Sequence, residues 1–246
     1  MKRAASRLAW PMHRSSKAFE DSKMLRKCLL ACGIVASLLY VGIDVLAAIV
    51  HPGYHSFSSQ MISELMARGA PTERLVDPLF MLYGVLMAAF GAGVWMSSPR
   101  PRVHVTAGLL IVYAALGLLG PTFFEMNLRG TGVPKSDFLH IALTAVLVVL
   151  ILAAVAVGAS IRGRWFRFYS FATLLLIVLF RALTVPASRP LSAGRPTPWL
   201  GIIERFDIGV FLLWVVVLAI SLWPIQRTTD RRVEPSHGMS PAPSAG

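Results

Sequence analysis

Six runs of about twenty apolar residues each constrain this chain more than any other feature of it. A helix rises 1.5 Å per residue, so such a run covers the roughly 30 Å hydrocarbon layer of a bilayer. Lipid offers no hydrogen-bond partners, and a helix satisfies its own backbone. The runs lie at about Leu29–Val50, Pro78–Met96, His104–Phe124, Asp137–Ile161, Phe168–Val185 and Ile202–Ile225. The expected fold is therefore all-α: a polytopic six-helix transmembrane bundle over residues 28–226. It is flanked by a basic tail, 1–27, and by a Ser-, Pro- and Arg-rich tail, 227–246, that is expected to be disordered.

Local signals place the ends of these helices. Asp77 and Pro78 read as N-cap and first residue of the second span, since a proline there loses an N–H that has no helical partner. Ser136 reads as the cap of the fourth span. Gly117, Gly120 and Pro121 loosen the end of the third, and Pro186 ends the fifth. Gly84 with Ala88, and Ala89 with Gly93, stand at the spacing that lets helix backbones approach closely in lipid. The first apolar run continues to Val50 behind a long basic stretch, which favours an uncleaved span over a secretory signal.

Only 15% of the residues are charged, against about a quarter in a soluble domain, yet the net charge is +12. Of the 24 Lys and Arg, sixteen fall in the two tails and the two short turns, and six in the three longer loops. By the positive-inside rule both termini are cytoplasmic. This accounts for the charge without nucleic acid, for which no motif is present. Cys28 and Cys32 begin the first span on that side and read as reduced packing residues.

The longest connection, residues 51–77, joins the first two spans. Its sequence predicts a short amphipathic helix. Ser58 or Ser59 caps it, and Met61, Ile62, Leu65 and Met66 share one face. Glu64 and Arg68 lie on the other, paired at i,i+4, and Gly69 and Pro71 stop the helix. Two readings follow: a lid over the bundle, or a connector lying on lipid. The second is favoured because long ordered loops are only sometimes functional.

Polar groups gather at the outer ends of the spans. Asp44 lies roughly 10 Å below His51 and Arg181 roughly 7–8 Å below Pro186 at the helical rise. His140 is one turn into the fourth span, and Glu204, Arg205 and Asp207 open the sixth. An ionisable group in a span costs about 2.5–3.5 kcal/mol on the insertion scale and marks a candidate site. Asp44 and Arg181, the deepest pair of opposite sign, are expected to pair or to share a hydrogen-bond network inside the bundle. Asp44, His51, Glu64, His140, Arg181, Glu204 and Asp207 are the candidate ligand-binding residues. The competing account makes the charges structural, as caps, anchors and one buried pair.

No cofactor or metal is expected. His51, His55, His140 and Asp44 are permitted ligand types, but Pro52 and Gly53 break the helical spacing of the first two, and no HExxH, paired-Cys or GxSxG pattern exists. Three functions remain open. The first, and favoured, is binding or transport of a small molecule or lipid at an outer polar pocket. The second is an intramembrane enzyme on a lipidic substrate, with His140 or Asp44 as base and Arg181 holding an anion. The third is a structural or regulatory membrane partner. A continuous water path favours transport, a one-sided pocket favours binding or catalysis, and a paired cluster without a cavity favours the third.

The segments HPGY, ISEL and RGAPTERLVDP after the first span resemble the opening of a prokaryotic six-span family catalogued only as a domain of unknown function. GPTFFE, DFLH and GIIERFDIGVFLLW are similar to the same pattern, so the resemblance covers about residues 29–225. It implies a multi-pass protein of the prokaryotic plasma membrane and carries no activity, substrate or catalytic residue.

Overall fold

The computed structural model describes residues 9–129, 135–191 and 194–224. The tail expected to be disordered, the loop glycines Gly130 and Gly132, and the Ser136 side chain lie outside the described residues. The elements are α1 (Ala9–Val50), α2 (Glu73–Trp95), α3 (Pro101–Gly117), the single turn α4 (Gly120–Phe123), α5 (Lys135–Gly158), α6 (Arg164–Ser188) and α7 (Leu200–Leu222). No strand occurs among the described residues; one isolated backbone bridge joins Arg68 and Asn127. Five helices, α1, α2, α5, α6 and α7, are long and apolar enough to cross a membrane, which makes this a multi-pass membrane protein. The third expected span divides into α3 and α4 at Leu118–Leu119, where Gly117, Gly120 and Pro121 weaken the helix.

Three boundaries differ from expectation. The first helix reaches back to Ala9, so much of the basic N-terminal stretch is helical. The second starts at Glu73 with Thr72 at its cap, which leaves Pro78 inside it in place of the first position. Thr72 is held by its hydroxyl on the Leu65 carbonyl (2.7 Å), and the Glu73 carboxylate accepts from the Gly69 N–H (2.6 Å), so these contacts set the start ahead of the proline. Helix α6 runs through Pro186 to Ser188. A proline removes one backbone donor, and at the start of α2 the Thr72 and Glu73 bonds outweigh that loss.

The six long helices pack in chain order as a closed ring, α1–α2–α3–α5–α6–α7 and back to α1. The ring has two unlike ends. One carries the turns 96–100 and 159–163; the other carries the longer connections 51–72, 124–134 and 189–199. At the short-turn end backbones nearly touch. A Cβ on Gly93 of α2 would stand 2.8 Å from the Leu30 nitrogen of α1. One on Gly158 of α5 would meet the Trp214 ring at 2.7 Å. Trp214 is fully buried and donates its indole N–H to the Ser170 hydroxyl at 3.0 Å. Helices α5 and α6 are buried only near this end, at Ala154, Val155, Phe166, Ser170, Thr173 and Ile177. Toward the long-loop end they carry no buried residue among the described ones.

Candidate functional site

A cavity of about 780 Å³ occupies the long-loop half of the ring. Its wall is the end of α1 (Tyr40), the start of α2 (Phe80, Tyr83, Gly84), the end of α3 (Tyr113, Gly117), and the facing halves of α5, α6 and α7. Most of that wall is aliphatic or aromatic. Ile141 on α5 and Val185 on α6 both line it and are both about 60% exposed. Among the described residues neither helix has a buried side chain along this stretch, so the two are not packed on each other there.

The 51–72 connection covers the cavity's outer end. Its helical segment is a 3-10 turn, Ile62–Met66, with Met61 at its N-cap in place of Ser58 or Ser59. Ile62 and Leu65 are buried against Ile43, Ala47, Val76 and Phe80 of the first two helices, while Met61, Ser63 and Met66 face the cavity. This is the lid arrangement and corrects the expectation of a connector lying on lipid. The reason lies in Glu64, which is 2% exposed and points inward. It does not pair with Arg68, which bonds Glu125 at 2.8 Å. Instead Arg129, from the α4–α5 loop, grips both Glu64 oxygens, the Nη2 bond being 2.7 Å. The same guanidinium donates to the Ser59 carbonyl and to the Thr197 hydroxyl (2.8 Å), so one side chain ties together all three long loops. Glu64 also accepts from the Met61 N–H at 2.8 Å. Tyr54 donates to the Glu64 carbonyl at 3.1 Å; burial, then the Glu64 charge, raises its phenol above the ordinary tyrosine value.

A second knot holds the other end of the lid. Asp44 is buried and bound by a two-point fork from Arg205, Nε to Oδ2 at 2.8 Å and Nη2 to Oδ1 at 2.7 Å. His55 donates Nε2–H to Asp44 Oδ1 at 2.8 Å. Arg205 Nη1 reaches the carbonyls of Phe57, Gln60 and Gly201 at 2.8–2.9 Å, and the guanidinium lies 5.2 Å from the Phe57 ring centre. The expected Asp44–Arg181 pair is thus absent. Arg181 bonds Asp207 at 2.5 Å. Ring order explains the exchange: α1 packs on α7, which carries Arg205, while α6, which carries Arg181, packs on α7 at Asp207.

Four of the candidate residues line the cavity, His140, Arg181, Glu204 and Asp207, together with Glu125, Arg129, Asp137 and Arg189. Glu204 accepts the Ile62 N–H of the lid at 2.5 Å. His140 Nδ1 meets the Phe124 carbonyl at 2.7 Å. A carbonyl only accepts, so Nδ1 carries a proton; in that tautomer Nε2 is the accepting nitrogen. Tyr83 and Tyr113 bond to each other at 3.0 Å on the opposite wall. Asp207 Oδ1 and Arg181 Nε are buried with no hydrogen-bond partner among the described residues, in addition to their mutual ion pair.

Four of the seven candidate residues therefore share the cavity. The other three do not reach it. Asp44 and Glu64 anchor the lid, and His51 serves through its backbone: its carbonyl accepts from Tyr54 and His55 at 3.0 and 3.1 Å. Arg129, Arg205 and His55 carry the lid and were not among the candidates. For Arg205 a signal existed, because an arginine between two span-end carboxylates needs an anion. For Arg129, a lone cation in a Gly- and Pro-rich loop, no local pattern distinguishes it. Among the described residues no group of three His, Cys, Asp or Glu side chains is placed to hold a metal ion.

A family model described as a protein of unknown function (DUF998) matches residues 34–221, well over half of the chain. No curated protein and no solved structure matches it.

Proposed function

The chain belongs to the DUF998 family, and from that premise we propose that it is a six-span protein that binds an amphiphile, a lipid or lipid-like molecule, in its lidded cavity. The sixth span is α3 continued by α4; α3 alone rises roughly 25 Å. The excess of Lys and Arg at the short-turn end supports a cytoplasmic position for that end and both termini. The resemblance of the sequence motifs favours the plasma membrane of a prokaryote. The single observation that carries the reading is the cavity itself. It is largely apolar, holds ionisable groups only toward the lid, and opens sideways between α5 and α6. Ligand sites share this pattern of apolar wall and few polar groups. A molecule with one polar end and one apolar body fits it, entering from the bilayer.

The cavity is one-sided. Packing around Trp214, Phe90, Val94 and Leu218 fills the short-turn half, so no continuous path favours transport. A purely structural role is disfavoured because paired charges alone need no cavity of this size. The enzyme reading keeps one specific support, the His140 ring with its Nε2 left to accept in the cavity.

Native mass spectrometry of the detergent-purified protein tests the proposal. A Cβ at Gly117 meets nothing within 4 Å and would project into the cavity, so Gly117→Phe fills space without a clash. The wild type is expected to carry a bound mass of lipid size, and Gly117→Phe to lose it with its melting temperature unchanged. A bare wild-type polypeptide, or equal occupancy in the filled variant, would end the proposal.

A further inference from the structure

The basic residues at the short-turn end do more than set orientation. Arg26 of α1 is buried and donates to the carbonyls of Leu222 (2.8 Å) and Trp223 (3.2 Å). Arg162, in the α5–α6 turn, donates to the Ser221 carbonyl. The two arginines thus hold the last carbonyls of α7, where a helix leaves acceptors unpaired and its dipole favours cations. Arg162 and Arg100 line one small cleft with Ser97, Ser98 and Leu222. Among the described residues none of the three arginines has a carboxylate partner. Burial, then the charges of Arg100 and Arg26, lower the Arg162 pKa, so the cluster repels itself. The Arg162 Nε is buried and has no acceptor among the described residues. Ser97 donates its hydroxyl to the Gly93 carbonyl at 2.7 Å, whereas Ser98 accepts from the Arg100 N–H at 3.4 Å and keeps its own proton to donate.

The level of the cleft in the membrane follows from its neighbours. Trp95, Trp165 and Trp223 are exposed at this end, and Trp95 stacks on His104 with ring centres 4.3 Å apart. Tryptophan collects at the headgroup level of a bilayer. We propose that Arg100 and Arg162, with Arg26 behind them and the Ser98 hydroxyl beside them, seat the phosphate of an anionic phospholipid from the leaflet at the short-turn end. The cleft holds about 10 Å³, room for a single phosphate oxygen between the two guanidiniums, while the rest of the headgroup stays at the surface. The bound charge relieves the repulsion among the arginines and fixes the α2–α3 and α5–α6 turns against the end of α7. This seat lies at the opposite end from the cavity and does not depend on what the cavity holds.

The test is native mass spectrometry of the full chain with equal phosphatidylglycerol and phosphatidylcholine, beside thermal unfolding with inorganic phosphate. The wild type is expected to retain phosphatidylglycerol at least about twentyfold better, a membrane-surface arginine being worth about fivefold. Arg100→Gln should lower that preference about fivefold, and Arg100→Gln with Arg162→Gln about twentyfold. Among the described residues the Arg100 side chain makes no hydrogen bond to a backbone carbonyl, so its single variant is expected to fold even if the double variant does not. Arg164→Gln with Arg167→Gln, exposed on the same side, should leave the preference unchanged. Equal retention of both lipids with no effect of phosphate overturns the proposal. So does a loss in the Arg164/Arg167 control as large as in Arg100→Gln, which makes the effect a general basic surface. Stabilisation by inorganic phosphate without lipid preference keeps the phosphate seat and assigns it to a soluble anion.

Discussion

The two ends of the ring solve opposite problems with the same six helices. At the short-turn end Gly93 lets α2 lie against the backbone of α1, Gly158 receives the face of Trp214, and helix ends are closed by Arg26 and Arg162. At the long-loop end α5 and α6 separate, and about 780 Å³ is left under a lid held by Arg129 and Arg205. Close packing is the cheaper state for a helix bundle in lipid, where van der Waals contact is the main attraction between helices. A protein that packs one end tightly and props the other open with buried ion pairs is built around the open end.

That contrast can be broken most forcefully at Arg129. Arg129→Ala leaves Glu64 buried without a cation, which costs about 3 kcal/mol in comparable buried pairs. A marked fall in the melting temperature in detergent is expected, partly restored by adding Glu64→Gln. An unchanged melting curve would mean that the lid is held by its apolar contacts alone.

Next in size is a pair of glycine substitutions, one at each end. Gly93→Ala presses a methyl onto the Leu30 and Leu29 backbone, which cannot move aside, and should cost about 2 kcal/mol. Gly84→Ala, beside the cavity, meets the end of the Leu118 side chain, which can swing away, and should cost under about 1 kcal/mol. Equal losses would show that the cavity end is as rigid as the tight end.

A smaller and more specific effect separates partners. A double-mutant cycle on Asp44→Asn and Arg205→Gln should show coupling of about 1–2 kcal/mol, and one on Asp44→Asn and Arg181→Leu no more than about 0.5 kcal/mol. The reverse ranking would restore the pairing that depth alone suggests. Smallest of all is Arg68→Ala: its bond to Glu125 lies at the exposed rim, and no measurable change in melting is expected.

Much of this architecture is legible in the sequence, and the parts that are not have a common cause. The spans read out because lipid forces each segment to satisfy its own backbone, so local composition suffices. The depth of each charge along its helix follows from counting residues, and that is how His140, Arg181, Glu204 and Asp207 are found together. Helix ends near prolines mislead: α2 begins ahead of Pro78, where side-chain bonds of Thr72 and Glu73 set the start, and α6 continues through Pro186.

Residue order alone establishes the membrane class, the set of long apolar helices and the end of the bundle at which ionisable groups collect. Only the tertiary structure decided which of those groups meet. Rotation about each helix axis and the order of helices in the ring are not local quantities. They send Asp44 to Arg205, Arg181 to Asp207 and Glu64 inward to Arg129. They also leave the facing halves of α5 and α6 apart, and that separation makes the cavity.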